Sequence, residues 1–302
     1  MATSSRPRPA RKQLLALFGP TASGKTAVAA ALRQRLGAEV ISADSAALYA
    51  GLPILTAAPP YPARLVGIVP LDQEVSVGGY QRLAHAAIDE AEAPLVVGGT
   101  GLYLRAALAA FELPPPGQRR AFWEAEYDRL GGAAAHAVLA ERDPAAAARV
   151  HPNDRKRVVR ALELAEAGAS LAPETDRLWT EDTRLPTVIV ALDVPLDVLD
   201  VRIEARTREM VERGAAEEAG RAWEAGPSRT AAQVLGLEEF ATLPVDEAVE
   251  RVTQATKRLA RYQRKWLRRM PGVVTLDGTR PVEEIAADIV VLERTGERLP
   301  RH

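Results

Sequence analysis

A glycine-rich segment that ends in lysine and threonine is the first feature of this sequence that could do chemistry. Residues 19–26 read GPTASGKT and satisfy the pattern Gly-x-x-x-x-Gly-Lys-Thr of phosphate-binding loops. In such a loop the backbone N–H groups and the dipole of the following helix attract an anion, and the lysine adds a positive charge. An ordinary turn is the alternative, but this segment lies between an apolar run and a helical pattern, as phosphate binding requires.

The loop alone does not identify its phosphate ligand, because a nucleoside triphosphate and another diphosphate-bearing molecule both suit it. The hydroxyl of Thr26 is a predicted ligand of Mg²⁺, directly or through water. A nucleotide-splitting enzyme usually carries an aspartate after a second apolar strand, yet the run at 94–97 leads into Gly98, Gly99 and Thr100. The predicted anion-binding residues are Gly19, Thr21, Ala22, Ser23, Gly24, Lys25 and Thr26.

The elements that position this loop predict an α/β fold. Apolar runs bounded by turn residues predict buried strands at 13–18, 38–42, 94–97 and 187–192, with a final strand within 272–276. Helical patterns between them, such as 25–36, predict a P-loop-type parallel sheet with helices on both faces. Ligands of such sheets bind at the carboxyl ends of the strands, so the loop, Asp44 and Thr100 should converge on one crevice.

The strand pattern stops in the middle of the chain, where alanine-rich helical segments bounded by prolines replace it. We therefore predict a helical insertion at 114–182 and a discontinuous catalytic core made of 13–113 and 183–302. Residues 1–12 are basic and are expected to be a disordered tail.

Composition excludes several classes of protein. The 302 residues include no cysteine, which excludes disulfides and thiolate metal sites, and the four histidines lack the spacing of a zinc site. No apolar run approaches the roughly 18 residues that span a bilayer, and the amino-terminal segment lacks the apolar middle of a secretion signal. We expect a cytoplasmic protein that does not enter membranes.

Two segments concentrate positive charge although the net charge is -1. Residues 251–269 contain eight basic residues, no acidic residue, and the aromatic residues Tyr262 and Trp266. Residues 149–160 contain five basic groups and one acid. This composition is typical of a surface that follows a phosphate backbone, and a solvated helix face is the alternative. Helical spacing favours a core position for Trp266.

Six segments in order resemble the tRNA dimethylallyltransferase family, also called tRNA isopentenyltransferases. The segments are GPTASGKT (19–26), ISADSAALYAGLPI (41–54), VVGGTGLYLRAAL (96–108), HPNDRKRVVRALEL (151–164), RIEARTREMVERG (202–214) and TKRLARYQRKWLRR (256–269). The resemblance implies transfer of a dimethylallyl group from dimethylallyl diphosphate, with Mg²⁺, to N6 of an adenosine beside the anticodon, at position 37 of tRNA. The loop would then hold a prenyl diphosphate, and no water has to be activated.

The resemblance also implies roles for individual residues. Arg206 and the loop would stabilise the departing diphosphate, Asp44 would accept a proton or hydrogen bond from the adenine amine, and Thr100 would position the reacting groups. Without the resemblance, Asp44 could cap a local turn and Arg206 could be a surface residue. We expect a monomer that binds the tRNA anticodon stem-loop partly through the insertion. The predicted tRNA-binding residues are Asp44, Ser45, Lys156, Arg157, Arg160, Gln233, Lys257, Arg261 and Gln263.

The sequence departs from the family at several positions near the expected tRNA contacts and the mouth of the crevice. These are Leu55, Ala58, Ala63, Tyr262 and Lys265. Three other functions stay open: a P-loop kinase or NTPase acting on a small molecule, an RNA-binding protein without catalysis, and an enzyme that prenylates free adenine nucleotides.

Overall fold

The computed structural model describes residues 12–110, 119–172 and 182–295. The chain divides into two compact units, one of Met1–Ala110 with Glu181–His302 and one of Phe111–Thr180. The predicted tail, except Lys12, and the predicted boundary between residues 113 and 114 lie outside the described residues.

The larger unit is built on a parallel sheet, which confirms the predicted α/β fold. The sheet has the strand order β3-β2-β4-β1-β5-β6, and all of its printed pairings are parallel. The strands are β1 (Leu14–Phe18), β2 (Glu39–Ser42), β3 (Ala63–Arg64), β4 (Pro94–Gly98), β5 (Thr187–Asp193) and β6 (Val274–Asp277). The edge strand β3 was not predicted, because two residues are too short to show an alternating pattern.

Helices occupy most of the remaining described chain. They are α1 (Lys25–Leu36), α2 (Val77–Glu90), α3 (Gly101–Leu108), α4 (Arg120–Leu130), α5 (Gly132–Arg142), α6 (Pro144–Ala147), α7 (Arg155–Glu166), α8 (Leu196–Glu212), α9 (Ala215–Glu224), α10 (Leu237–Thr242), α11 (Val245–Leu267) and α12 (Val282–Thr295). In the part of the chain that the structure describes, none of them has the length and apolar character needed to cross a bilayer.

Alternation along the strands gives the sheet two apolar faces. Leu15 and Leu17 of β1 join a core cluster with apolar residues of α1 and α12, whereas Leu14, Ala16 and Phe18 are buried on the opposite face. Helices α2 and α3 also pack against the strands, and their residues are not part of the cluster that contains Leu15 and Leu17. The hydroxyl of Tyr80 on α2 donates to the Ser42 carbonyl oxygen at 3.0 Å, which ties α2 to the end of β2.

The smaller unit has a core of its own. Within the described residues it consists of α4 to α7, whose buried side chains include Trp123, Tyr127, Leu139, Val158 and Leu162. Tyr127 also donates through its hydroxyl to the Pro152 carbonyl oxygen at 2.7 Å. Four helices around one apolar cluster form a compact domain.

The carboxyl end of β4 lies directly against the segment that follows β2. A Cβ atom added at Gly98 would lie 2.2 Å from the Ala43 carbonyl oxygen, well inside the closest approach of real side chains. Gly98 is also paired with Phe18 in the sheet. Glycine at this position therefore allows the ends of β1, β2 and β4 to approach one another, and the chemistry-bearing segments follow these ends.

Gly98→Ala is expected to lower the free energy of unfolding by about 1–3 kcal/mol, because the added methyl group overpacks a backbone contact. Gly220→Ala in α9 is the matched control, since its Cβ would meet no atom within 4 Å, and we expect it to be neutral or stabilising by up to about 1 kcal/mol. Urea unfolding of both variants measures the difference. Equal loss of stability in the two variants would contradict the close approach at Gly98.

Candidate active site

Residues 19–26, called the phosphate loop below, connect β1 to α1 with a backbone suited to an anion. Ala22 and Gly24 have positive φ values of 63° and 90°, and such turns expose successive N–H groups in a concave arrangement. Gly24 is the residue before α1 and has no side-chain cap, and the first turn of α1 contains no acidic residue. The amino-terminal N–H groups of α1 are therefore available to bind an anion.

The hydroxyl of Ser23 is a second feature of the loop that suits an anion. Its Oγ atom is buried and has no hydrogen-bond partner in the described structure, and Ser23 lines the cavity over the loop. A buried hydroxyl without a partner lowers stability. An acceptor oxygen placed in the cavity would satisfy it.

Lys25 lies folded back over the phosphate loop. Its Nζ donates to the Pro20 carbonyl oxygen at 2.6 Å. Burial lowers the pKa of Lys25 to about 8, the negative charge of Asp44 opposes this shift, and the positive charge of Arg206 adds to it. A bound anion would favour the protonated lysine and raise its pKa again.

Two arginines of α8 contact the same loop. Arg206 donates through Nη1 to the Thr21 Oγ1 at 3.1 Å, and Arg202 donates through Nη1 to the Ala22 carbonyl oxygen at 3.3 Å. Burial lowers the pKa of Arg206, and Asp44 opposes this shift. Arg206 was predicted for this site and Arg202 was missed, although a spacing of four residues places the two on one helix face.

Gln263 of α11 holds the phosphate loop from another side. Its Oε1 accepts a hydrogen bond from the backbone N–H of Thr21 at 2.8 Å, and the residue is only 5% exposed. The Gln263 side chain also lies against the turn after β4, because a Cβ atom added at Gly99 would lie 2.6 Å from the Gln263 Nε2. The structure thus places Gln263, predicted to contact tRNA, inside the protein between the phosphate loop and the turn after β4. Its helical position alone did not reveal that it faces inward.

Asp44 lies beside the cations of the phosphate loop and also caps a turn. Its Oδ1 accepts from the Ala46 N–H at 3.0 Å, and its own N–H donates to the Ser42 Oγ at 3.3 Å. Its negative charge opposes the lowering of the pKa that burial causes in both Lys25 and Arg206. Asp44 therefore caps a local turn, as one interpretation predicted, and these contacts hold its carboxylate near the cations of the loop.

Thr100 lies on the turn that brings β4 to the phosphate loop. It is half-buried and precedes α3 without capping that helix through its side chain. The preceding Gly99 approaches the loop so closely that an added Cβ atom would lie 3.0 Å from the Gly19 carbonyl oxygen. Gly98 and Gly99 line the cavity next to the loop. The three predicted segments therefore meet at the carboxyl edge of the sheet.

One cavity of about 500 Å³ joins the phosphate loop to Asp44. Its polar lining includes loop residues 21–26, Asp44, Arg202 and Arg206. Its apolar lining includes Leu55, Ile203, Met210, Val234, Leu235, Val252 and Leu259. A cavity that combines N–H donors and cations with hydrocarbon side chains suits an anion that carries an apolar group.

Few protein atoms are available here to bind a metal ion. Among the described residues no three His, Cys, Asp or Glu side chains are grouped to hold one, and the exposed hydroxyl of Thr26 lies in the first turn of α1. Mg²⁺ often uses one or two protein ligands together with phosphate oxygens and water. The donor set fits a magnesium ion that arrives with a diphosphate.

The predicted RNA-binding cations of α11 are paired with α8. The Lys257 Nζ lies 2.6 Å from the Glu204 Oε1, and the Arg261 Nη2 lies 2.7 Å from the Asp200 Oδ2. Both residues were predicted to bind tRNA, and the structure pairs each of them with a carboxylate of α8. Spacing along α11 did not reveal carboxylates on a neighbouring helix.

The other predicted RNA contacts lie at several places on the surface. Lys156 and Arg157 are exposed on α7, and the Arg160 Nη1 lies 3.4 Å from the Glu163 Oε2. Gln233 is exposed and its Nε2 donates to the Arg229 carbonyl oxygen at 3.1 Å. Ser45 is half-buried next to Asp44.

Two of the departures from the family pattern affect the cavity directly. Leu55 and Ala63 line it, whereas the Ala58 N–H bonds to the Pro53 carbonyl oxygen at 2.9 Å. Tyr262 is 55% exposed and Lys265 is exposed. Trp266, expected in the core, is half-buried and covers the start of α3.

Comparison with known proteins agrees with this geometry. The family described as IPP transferase matches residues 47–270, and the family described as isopentenyl transferase matches residues 12–68. A tRNA dimethylallyltransferase of Roseiflexus sp. (strain RS-1) is 38% identical over 301 residues, covering 92% of this chain and 97% of the relative. One of Anaeromyxobacter dehalogenans (strain 2CP-C) is 43% identical over 282 residues, covering 87% and 94%.

Solved structures show the same likeness. The tRNA isopentenylpyrophosphate transferase of Bacillus halodurans is 31% identical with a TM-score of 0.67, covering 94% of this chain and 97% of that chain. A eukaryotic dimethylallyltransferase acting on tRNA has a TM-score of 0.78 at 22% identity, covering 96% and 81%, and shows a shared fold. The chain belongs to the IPP transferase family.

Proposed function

We propose that this chain transfers a dimethylallyl group from dimethylallyl diphosphate to N6 of an adenosine next to the anticodon of tRNA, at position 37, and releases diphosphate. The observation that carries the proposal is the single cavity in which a cationic phosphate loop, an apolar lining and Asp44 meet. The names of the relatives support the choice of donor and acceptor. This reaction makes the chain a transferase of the prenyltransferase class.

The donor end of the site is the phosphate loop. Its N–H groups, Lys25 and Arg206 would bind the diphosphate and stabilise the charge that develops as it departs. A magnesium ion on the Thr26 hydroxyl would add positive charge to the same oxygens when bound. The apolar lining would hold the dimethyl end of the donor and keep water away from the allylic carbon.

The reaction itself is a displacement at the allylic carbon C1. The lone pair of the adenine N6 forms the new C–N bond, while the C1–O bond breaks and its electron pair leaves with the diphosphate. The extra proton on N6 passes to the carboxylate of Asp44. Asp44 would therefore act as a general base, with Thr100 positioning the reacting groups from the neighbouring turn.

The acceptor base has to leave its stack to reach such a cavity. We propose that the exposed cations of α7, Lys156 and Arg157, bind the displaced RNA through its phosphates. Ser45, Gln233 and the long basic helix α11 are proposed to add contacts near the cavity. The described residues of one chain supply the loop, the carboxylate and the cavity, so we propose that the protein acts as a monomer.

Incubation of tRNA with the protein, Mg²⁺ and dimethylallyl diphosphate should increase the mass of adenosine by one dimethylallyl group, measured by mass spectrometry of the nucleosides. Asp44→Asn should lower the rate of transfer about 10²–10⁴-fold, because the general base is lost, while tRNA affinity changes by a few fold at most. Asp246→Asn, an exposed aspartate in the first turn of α11, is the matched control and should not change the rate.

The same assay separates the competing functions. Hydrolysis of ATP without a nucleoside product would indicate a P-loop NTPase, and tRNA binding without product would indicate an RNA-binding protein that lacks catalysis. Product from free adenosine monophosphate at the rate seen with tRNA would favour nucleotide prenylation. An Asp44→Asn variant with full activity would remove Asp44 from the mechanism.

The affinity for inorganic diphosphate should fall as the pH rises above about 8, the pKa of Lys25. Below about pH 8 Lys25 is protonated in both the free and the diphosphate-bound protein. Above this pH Lys25 of the free protein has lost its proton, so the protein must take up a proton when diphosphate binds. The dissociation constant should therefore rise by up to about tenfold per pH unit, measured by calorimetry. Lys25→Arg keeps its positive charge over this pH range, so it is the control for the ionisation of diphosphate itself. If the dissociation constant depends on pH equally in Lys25→Arg and in the unmodified protein, Lys25 is not the group that titrates.

Charge reversal in the smaller unit tests the RNA-binding proposal. Arg157→Glu should weaken tRNA binding and reduce the slope of log affinity against log salt by about 1 or more, because a phosphate contact is lost. Arg129→Glu is the matched control, since it makes the same change of charge in the same unit at a residue outside the predicted RNA-binding set. Both arginines are ion-paired, Arg129 with Glu126 at 2.7 Å and Arg157 with Asp154 at 3.6 Å. If both variants keep the slope of the unmodified protein, Arg157 does not contact the RNA backbone.

A further inference from the structure

One short turn forms part of the apolar wall of the cavity. The turn, residues 52–58, is called the wall segment below. It is held by backbone hydrogen bonds from Thr56 N–H to the Leu52 carbonyl oxygen at 3.0 Å and from Ala58 N–H to the Pro53 carbonyl oxygen at 2.9 Å. Leu55 and Thr56 of this segment line the cavity. A single turn outside regular helix or strand needs outside support to keep its shape.

A carboxylate from α9 supplies that support. Both carboxylate oxygens of Glu218 accept the Ile54 N–H at 3.0 Å, and its Oε1 also accepts the Leu55 N–H at 2.8 Å. Glu218 is 3% exposed and lies in the first turn of α9, where the helix dipole favours a negative charge. The two N–H groups at the start of the wall segment are therefore capped by a residue about 160 positions later in the chain.

The capped segment positions Leu55 against the rest of the apolar lining. A Cβ atom added at Gly236 would lie 3.2 Å from the Leu55 Cδ2, so the Leu55 side chain packs beside the residue that precedes α10. Val234 and Leu235 come just before Gly236 and line the same cavity. A displacement of the segment would therefore change the space between Leu55 and this turn.

We propose that Glu218 is a positioning residue that fixes the apolar wall and thereby limits the length of the alkyl group that the donor can carry. The inference deepens the proposed function, because it assumes that the cavity binds an allylic diphosphate. Hydrogen bonds to a buried charge are among the strongest in proteins. The hydrogen bonds of Glu218 go to the Ile54 and Leu55 N–H groups, so its effect on the reaction would pass through Leu55.

The test compares kcat/KM for dimethylallyl diphosphate with kcat/KM for geranyl diphosphate, whose alkyl chain is longer. Glu218→Gln keeps the size of the side chain but places an NH₂ donor against an N–H donor of the wall segment. The ratio of kcat/KM for dimethylallyl diphosphate to kcat/KM for geranyl diphosphate should fall about tenfold. Most of this fall should come from a higher KM for dimethylallyl diphosphate. Hydrogen exchange at the Ile54 and Leu55 amides should become faster in the same variant.

Glu217→Gln is the matched control, since Glu217 is the exposed neighbour on α9, and it should leave the ratio unchanged. Leu55→Ala removes part of the apolar wall directly, which enlarges the cavity, and it should also lower the ratio. This variant keeps the test decisive if Glu218→Gln does not fold. An unchanged ratio in a folded Glu218→Gln variant, or in Leu55→Ala, overturns the inference and leaves the proposed function intact. A protein that makes no prenylated product from either donor overturns the proposed function itself.

Discussion

Lys25 and Arg206 carry positive charge beside the phosphate loop in a partly desolvated site. The surrounding structure holds both side chains there. Burial lowers the pKa of Lys25 to about 8 and also lowers the pKa of Arg206, while Asp44 opposes both shifts. These two cations repel each other, and each donates a hydrogen bond to an oxygen of the loop itself. A diphosphate would replace these internal acceptors with charged ones and would satisfy the Ser23 hydroxyl. Binding of the anion and protonation of Lys25 are therefore coupled.

Two helices that contact the loop, α8 and α11, form the scaffold around this charge. Leu199 and Ile203 of α8 and Ala260 of α11 form a small buried cluster, and Ala22 of the loop packs against it. This packing sets the distance between α8 and the phosphate loop, across which Arg202 and Arg206 contact the loop. Gln263 adds a hydrogen bond from α11 to the Thr21 N–H. Any ligand that moves α11 would therefore also move the anion site, because packed elements transmit displacement.

Local patterns in the sequence predicted much of this arrangement, because the phosphate loop and the strands are encoded by neighbouring residues. The loop, Asp44 and Thr100 follow strands, so topology alone brings them to one edge. Arg202, Gln263 and Glu218 act on backbone groups far away in the chain, at Ala22, Thr21 and Ile54. Such contacts have no signature in periodicity or spacing. The ion pairs of Lys257 and Arg261 were missed for the same reason, because a charge run does not reveal its partners.

We expect the phosphate loop to hold the leaving group of an allylic donor while Asp44 lies on the side of the reacting carbon. A crystal structure with an unreactive thio-analogue of dimethylallyl diphosphate tests it most directly. The diphosphate is expected to contact the loop N–H groups, Lys25 and Arg206, with C1 facing Asp44 and the dimethyl group beside Leu55. Diphosphate bound away from the loop, or an alkyl chain directed away from Asp44, would contradict it.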